Sequence, residues 1–224
     1  MPMFDNSDLK QVIFDLDGTL TDPGLGIIRC TLHAMQSLGR PDPTMDQLRA
    51  CVGPPLRDNF ISLLGTDDPV LIENAVEVYR ERTASHGIYE NEVYPGVEVM
   101  LTTLRDAGFG LLIATSRPEV FAGAILRNFK LDHFFSARYC AQLDGSLSEK
   151  ADLIGLLLQT EGLVANNCVM IGDRKHDVIG AKKNGMRAIG VTYGYGSVKE
   201  LTEAGADHLC GNTDEITAFL MNSG

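Results

Sequence analysis

The feature that most limits how this chain can fold is a set of five short apolar runs at 11–15, 109–115, 135–140, 168–172 and 187–192. None alternates strictly between apolar and polar residues, so each predicts a strand buried on both faces, as in a parallel sheet. Between them lie helical patterns at 97–107, 119–129, 150–161 and 178–184, mostly closed by Gly or Asn, the residues that end helices in a left-handed turn. Strand and helix in alternation define an α/β class with a doubly wound, Rossmann-like parallel sheet.

The stretch from 25 to 90 breaks that rhythm, with helical patterns at 26–38, 45–51, 56–64 and 69–85 and no strand pattern. Its edges, Thr21-Asp22-Pro23-Gly24 and Glu92-Val93-Tyr94-Pro95-Gly96, carry the Pro and Gly common where a chain crosses between two bodies. The expected organisation is a Rossmann-like core of residues 1–22 and 94–224 with an inserted all-helical cap domain at 23–93. Ile27, Ile28, Leu32 and Met35, at helical spacing, are expected in the interior of that cap.

With 224 residues the chain is long enough to bury a substantial core. Its 19 basic and 30 acidic side chains leave a formal net charge of -11, which repels nucleic-acid phosphates and anionic lipid and argues against both as partners. A small molecule is the expected partner, with the protein itself a monomer or homodimer. Cys30, Cys51, Cys140, Cys168 and Cys210 never form a Cys-x-x-Cys pair, so buried reduced thiols are expected rather than disulfides or a zinc site. No apolar run approaches the ~20 residues of a membrane span, so a cytoplasmic location is expected.

Ligands of an open parallel sheet bind at the carboxyl ends of its strands. Asp15 and Asp17 follow the first strand, Thr115 and Ser116 the second, and Asp173 and Asp177 the strand at 168–172; Lys150 opens the helix after the third. Carboxylates converging in one crevice repel one another unless a cation neutralises them, and an all-oxygen site suits Mg2+. Together with Lys150, such an ion offsets the charge of a bound phosphate and lets Asp15 attack phosphorus. Asp17, just past the turn, is placed to protonate the leaving alcohol and then to take a proton from water. A calcium loop of the EF-hand kind is ruled out, because the position eleven after Asp15 is Gly26 and not Glu.

The segments Asp15-Leu16-Asp17-Gly18-Thr19, Thr115, Lys150 and Gly172-Asp173-Arg174-Lys175-His176-Asp177 resemble the four motifs of the haloacid dehalogenase superfamily, and the resemblance spans essentially the whole chain. Within it the chain looks most like the phosphoglycolate-phosphatase-like group, whose helical cap follows the first motif. The resemblance implies Asp15 as nucleophile and metal ligand, Asp17 as acid/base that also offers its backbone carbonyl to the metal, and Asp173 as a carboxylate ligand. It implies that Thr115 binds the phosphoryl group, that Lys150 pairs with that group and with Asp15, and that Asp177 holds Lys150 or a metal-bound water. Backbone amides around Asp17 and Gly18 would cradle phosphate oxygens. Asp17 also argues against dehalogenation, since dehalogenases of the superfamily lack an acid two residues after the nucleophile.

Other residues invite plainer readings. Ser116 suits a cap for the helix after Pro118, and Gly194 and Gly196 lack the spacing of a phosphate loop, so a flexible loop suffices for them. Arg57, after the stiff Gly53-Pro54-Pro55 turn, reads either as a partner for the substrate's own anionic group or as one half of a surface ion pair. Arg117 has a weaker claim of the same kind. The expected reaction is phosphate-monoester hydrolysis, on a phosphoglycolate-like compound, a nucleotide or a sugar phosphate. A phosphomutase of the beta-phosphoglucomutase type shares every motif residue, and a receiver-like signalling module shares the acid cluster, though receivers are shorter and lack a cap.

Overall fold

The computed structural model describes residues 8–222 and divides into two compact units, one made of 8–21 and 93–222, the other of Asp22–Glu92. The chain passes between them at two short strands, β2 (Thr21–Asp22) and β3 (Glu92–Val93).

The larger unit holds a six-stranded, all-parallel sheet. Its strands are β1 (Gln11–Phe14), β4 (Gly110–Pro118), β5 (Ala137–Ala141), β6 (Cys168–Gly172), β7 (Arg187–Val191) and β8 (His208–Cys210), in the order β5-β4-β1-β6-β7-β8. The same unit holds helices α5 (Val97–Asp106), α6 (Glu119–Asn128), α7 (Lys150–Glu161), α8 (Lys175–Lys183), α9 (Val198–Glu203) and α10 (Thr213–Met221). Because both faces of a parallel sheet are covered, its central strands are continuously apolar: Val12, Ile13, Phe14 and all of Cys168–Ile171 have no exposed surface. On one face Ile13, Leu112 and Met170 pack with Leu153, Ile154 and Leu157 of α7 and Val178 and Ala181 of α8. Burying each of the larger side chains contributes about 1.5 to 3 kcal/mol.

Register brings the chemistry-bearing strand ends level. Phe14 lies opposite Ile113 on one side and Ile171 on the other, so Asp15, Ala114 and Gly172 stand side by side at the carboxyl edge. The order reverses direction around β1, and ligands of open parallel sheets bind at such a switch point.

The smaller unit is helical: α1 (Gly24–Ser37), α2 (Met45–Ala50), α3 (Leu56–Leu64) and α4 (Pro69–Arg82), the last continued by a π-helical turn at Thr83–Gly87. Its interior gathers Cys30, Ala34, Met35, Phe60, Ile72, Ala75, Val76 and Tyr79, with Phe60 and Tyr79 edge to face at 6.1 Å. Of the four α1 residues expected inside, Met35 joins this cluster and Ile27 is buried, whereas Ile28 and Leu32 are half-buried. The inward stripe of α1 runs through Cys30 and Ala34, one position round from the stripe expected. All five cysteines are buried and free. Among the described residues no helix is long and apolar enough to cross a membrane.

Candidate active site

Asp15 leaves β1 still tied to the sheet, its amide donating to Ile171 O at 2.9 Å, and its side chain is buried. The turn that follows is closed by Leu20 and Thr21 amides donating to Leu16 O. Gly18 takes φ +81°, and a Cβ there would sit 2.2 Å from Asp173 Oδ2, so only glycine fits. Its amide was expected to face a phosphate; instead it donates to Thr21 O at 2.7 Å, and the value of Gly18 is the space it leaves for Asp173.

Lys150, the first residue of α7, is buried to 5% exposure and surrounded by oxygen. Its Nζ donates to Asp15 Oδ1 at 2.8 Å and to Ala114 O at 2.9 Å, and lies 2.8 Å from Asp177 Oδ1. Burial disfavours its charge, but the carboxylates of Asp15 and Asp177 outweigh that and hold the ammonium above the ordinary lysine range. Asp177 is fixed by the start of α8, which begins three residues before the 178 read from sequence: its Oδ2 accepts from the Arg174 amide at 3.1 Å, the reciprocal bond of a helix N-terminus. Of the two roles implied for Asp177, the structure shows the grip on Lys150.

Asp15, Asp173 and Asp177 form a buried trio whose oxygens lie within 4.8 Å of one another. One lysine cannot neutralise three carboxylates. Burial, followed by the charges of Asp177 and Asp15, pushes Asp173 well above the usual carboxylate range, and burial raises Asp177 to about 6 despite Lys150. Asp173 Oδ1 is buried without a hydrogen-bond partner. An all-oxygen group with surplus negative charge and an orphaned buried oxygen fits a hard divalent cation. The Asp17 carboxylate lies outside this trio. Its Oδ2 accepts from Arg117 Nε at 2.6 Å, and burial keeps its carboxyl above the ordinary range against the pull of that guanidinium. Thr115 is buried to 1% exposure at the end of the regular part of β4, and its Oγ1 accepts from the Arg117 amide at 3.2 Å. Ser116 donates to Ser148 O, which ties the β4 end to the segment entering α7.

Two features escaped the sequence reading. The loop after β7, expected to be merely flexible, is a close-fitting wall. A Cβ on Gly194 would lie 2.3 Å from Gly18 O and 2.4 Å from Asp173 Cβ, one on Gly196 would lie 2.0 Å from Asp173 O, and the Tyr195 amide donates to Asp173 Oδ2 at 2.8 Å. The Tyr193 hydroxyl adds a bond to Thr19 O at 2.8 Å. The alternating Gly-Tyr-Gly at 194–196 was the available signal, since small residues allow such close approach. The second feature is the Arg117 contact with Asp17, which spans 100 positions of sequence and leaves no local trace. In the helical unit Arg57 makes a two-point ion pair with Glu73, at 2.5 and 3.0 Å, and that bond draws the Glu73 carboxyl below its usual range. Of the two roles left open for Arg57, the structure shows this pair.

Residues 12–191 match the haloacid dehalogenase-like hydrolases, and the chain belongs to that family. It is 45% identical to a 5'-nucleotidase of Pseudomonas aeruginosa over 93% of this chain and 94% of that protein. A solved structure from Clostridium acetobutylicum, described as a predicted phosphatase, superposes with a TM-score of 0.91 at 39% identity, covering 95% of this chain and 98% of that one. A tyrosine-protein kinase named PtkA, from Mycobacterium tuberculosis, is 37% identical over 83% of this chain but only 62% of its own length. The relatives and the structure named for phosphate removal support phosphatase activity for this chain.

Proposed function

We propose that the chain is a Mg2+-dependent phosphatase acting on a small phosphate monoester through an aspartyl phosphate on Asp15. The observation that carries this reading is Lys150 Nζ, held 2.8 Å from Asp15 beside a buried trio of carboxylates at the sheet edge. Asp15 and Asp173, with the Asp17 carbonyl, would hold the ion and Asp177 would stand at its margin; bound there, Mg2+ supplies positive charge to the phosphoryl oxygens.

Asp15 attacks phosphorus. The P–O bond to the leaving alcohol breaks, its electron pair stays on that oxygen, and the Asp17 carboxyl supplies the proton. Water then attacks the aspartyl phosphate, Asp17 takes its proton, and the bond from Asp15 to phosphorus breaks, releasing inorganic phosphate. Throughout, Lys150 orients Asp15, and Thr115 binds a phosphoryl oxygen.

Among substrate classes, nucleoside monophosphates head the list because of the relative named 5'-nucleotidase; phosphoglycolate-like compounds and sugar phosphates follow. The test is phosphate release from such a panel with Mg2+, run beside an Asp15→Asn protein and beside ATP with a tyrosine peptide. Release that vanishes in the variant supports the reading. A fully active variant, or transfer to the peptide in place of release, overturns it.

A further inference from the structure

The end of β4 is irregular in a way that bears on the acid/base. Thr115 pairs with Cys140 of β5, but the next pairing is Pro118 with Ala141, so Ser116 and Arg117 are extra residues on β4. A bulge of this kind re-aims side chains and is common beside active sites. Here both extra residues are pinned: Ser116 Oγ donates to Ser148 O at 3.0 Å, and the Arg117 amide donates to Thr115 Oγ1 at 3.2 Å. The Arg117 side chain, 9% exposed, then reaches the turn after β1 and donates from Nε to Asp17 Oδ2 at 2.6 Å. Asp17 Oδ1 is buried and has no hydrogen-bond partner. One carboxylate oxygen is therefore held by a charge-assisted bond, and the other is left to exchange a proton.

We propose that Arg117 is a positioning residue for Asp17: the β4 bulge aims its guanidinium so that one oxygen of the acid is fixed and the other faces the leaving group. The inference rests on the phosphatase reading and deepens it, since it names what orients the proton donor. A carboxyl that turns freely delivers its proton in only a fraction of its orientations, and general acid catalysis contributes about 100- to 10,000-fold only when the donor is in place.

The consequence depends on the leaving group. The alcohol of an alkyl phosphate departs as an alkoxide unless its oxygen is protonated, whereas p-nitrophenyl phosphate releases p-nitrophenolate, a stable anion that needs no proton. The experiment measures kcat/KM, which reports the steps up to departure of the alcohol, for ethyl phosphate and p-nitrophenyl phosphate with wild-type, Arg117→Ala and Arg117→Lys proteins. The expected result is that the ratio of aryl to alkyl kcat/KM rises at least about 10-fold in Arg117→Ala, within the range of a misplaced general acid, and moves part of the way in Arg117→Lys. Should Arg117→Ala not fold, Arg117→Lys carries the same comparison, because lysine keeps the charge but offers no planar fork. Equal losses on both substrates, or none, would overturn the positioning role while leaving the phosphatase reading intact. A wild-type protein inactive on both, and on every other phosphate monoester, would overturn the reading beneath it and the inference with it.

Discussion

Lys150 and Asp177, each in the first turn of its own helix, meet with Nζ and Oδ1 2.8 Å apart. The contact joins the starts of α7 and α8 under the carboxyl edge of the sheet, and through the same ammonium it sets the direction of Asp15. Removing this one cation disturbs fold and chemistry together.

Lys150→Met should lose about 3 to 5 kcal/mol in unfolding free energy, the usual result of leaving buried charge unpaired. Phosphatase activity should fall by about 100-fold or more, because a fixed charge beside the nucleophile is gone. Denaturant unfolding and steady-state kinetics on one preparation check both.

Asp173 separates metal binding from folding. Burial and two neighbouring carboxylates disfavour its charge, so Asp173→Asn should raise the melting temperature measured in a chelator. In the wild type, Mg2+ at about 100 times its Kd should add about 2.7 kcal/mol, and in Asp173→Asn most of that increment should disappear. Thermal melts with and without Mg2+ distinguish the two effects.

The wall behind Asp173 should be intolerant of bulk. Gly194→Ala places a methyl 2.3 Å from a backbone oxygen, which cannot yield as a side-chain tip can. A cost of about 1 to 3 kcal/mol is expected, with a raised Mg2+ requirement for activity because Asp173 must shift. Mg2+ titration of activity reads the second effect.

In the helical unit Glu90 bonds to Arg82 and Arg29, and those bonds draw its carboxyl down to about 2 from the ordinary 4.5. A depressed carboxyl stabilises the fold fully above its unfolded value, and that contribution is lost as pH falls from about 4.5 toward 2. Glu90→Gln should therefore be less stable than wild type at pH 7 and should lose less on acidification through that window. Equilibrium unfolding at a series of pH values gives both slopes.

Much of this was legible in the amino-acid order. Cys168–Gly172 and Lys150–Glu161 run between the bounds that apolar runs and a Gly162 stop indicate. The site acids could be placed because strands end where Val-Ile-Phe gives way to Asp15 and where Val-Met-Ile-Gly gives way to Asp173. β8 was missed because three residues at a sheet edge, one of them His208, form no apolar run. α8 was read as starting too late because its first turn is the charged Lys175-His176-Asp177, whose helical state depends on the Asp177 cap and not on apolar spacing. The Arg117 contact and the Gly194 wall depend on which loops fold against the Asp17 turn, and spacing within one segment cannot report that.

The most direct test of the central claim is to locate the phosphoryl group during turnover. Wild-type protein is mixed with a substrate labelled on phosphorus, quenched in acid within the first turnover, digested, and sequenced by mass spectrometry. Label is expected on the peptide containing Asp15 and on no other, and none in Asp15→Asn. Steady release of phosphate with no label on Asp15 at any time point, or with label on another residue, would contradict it.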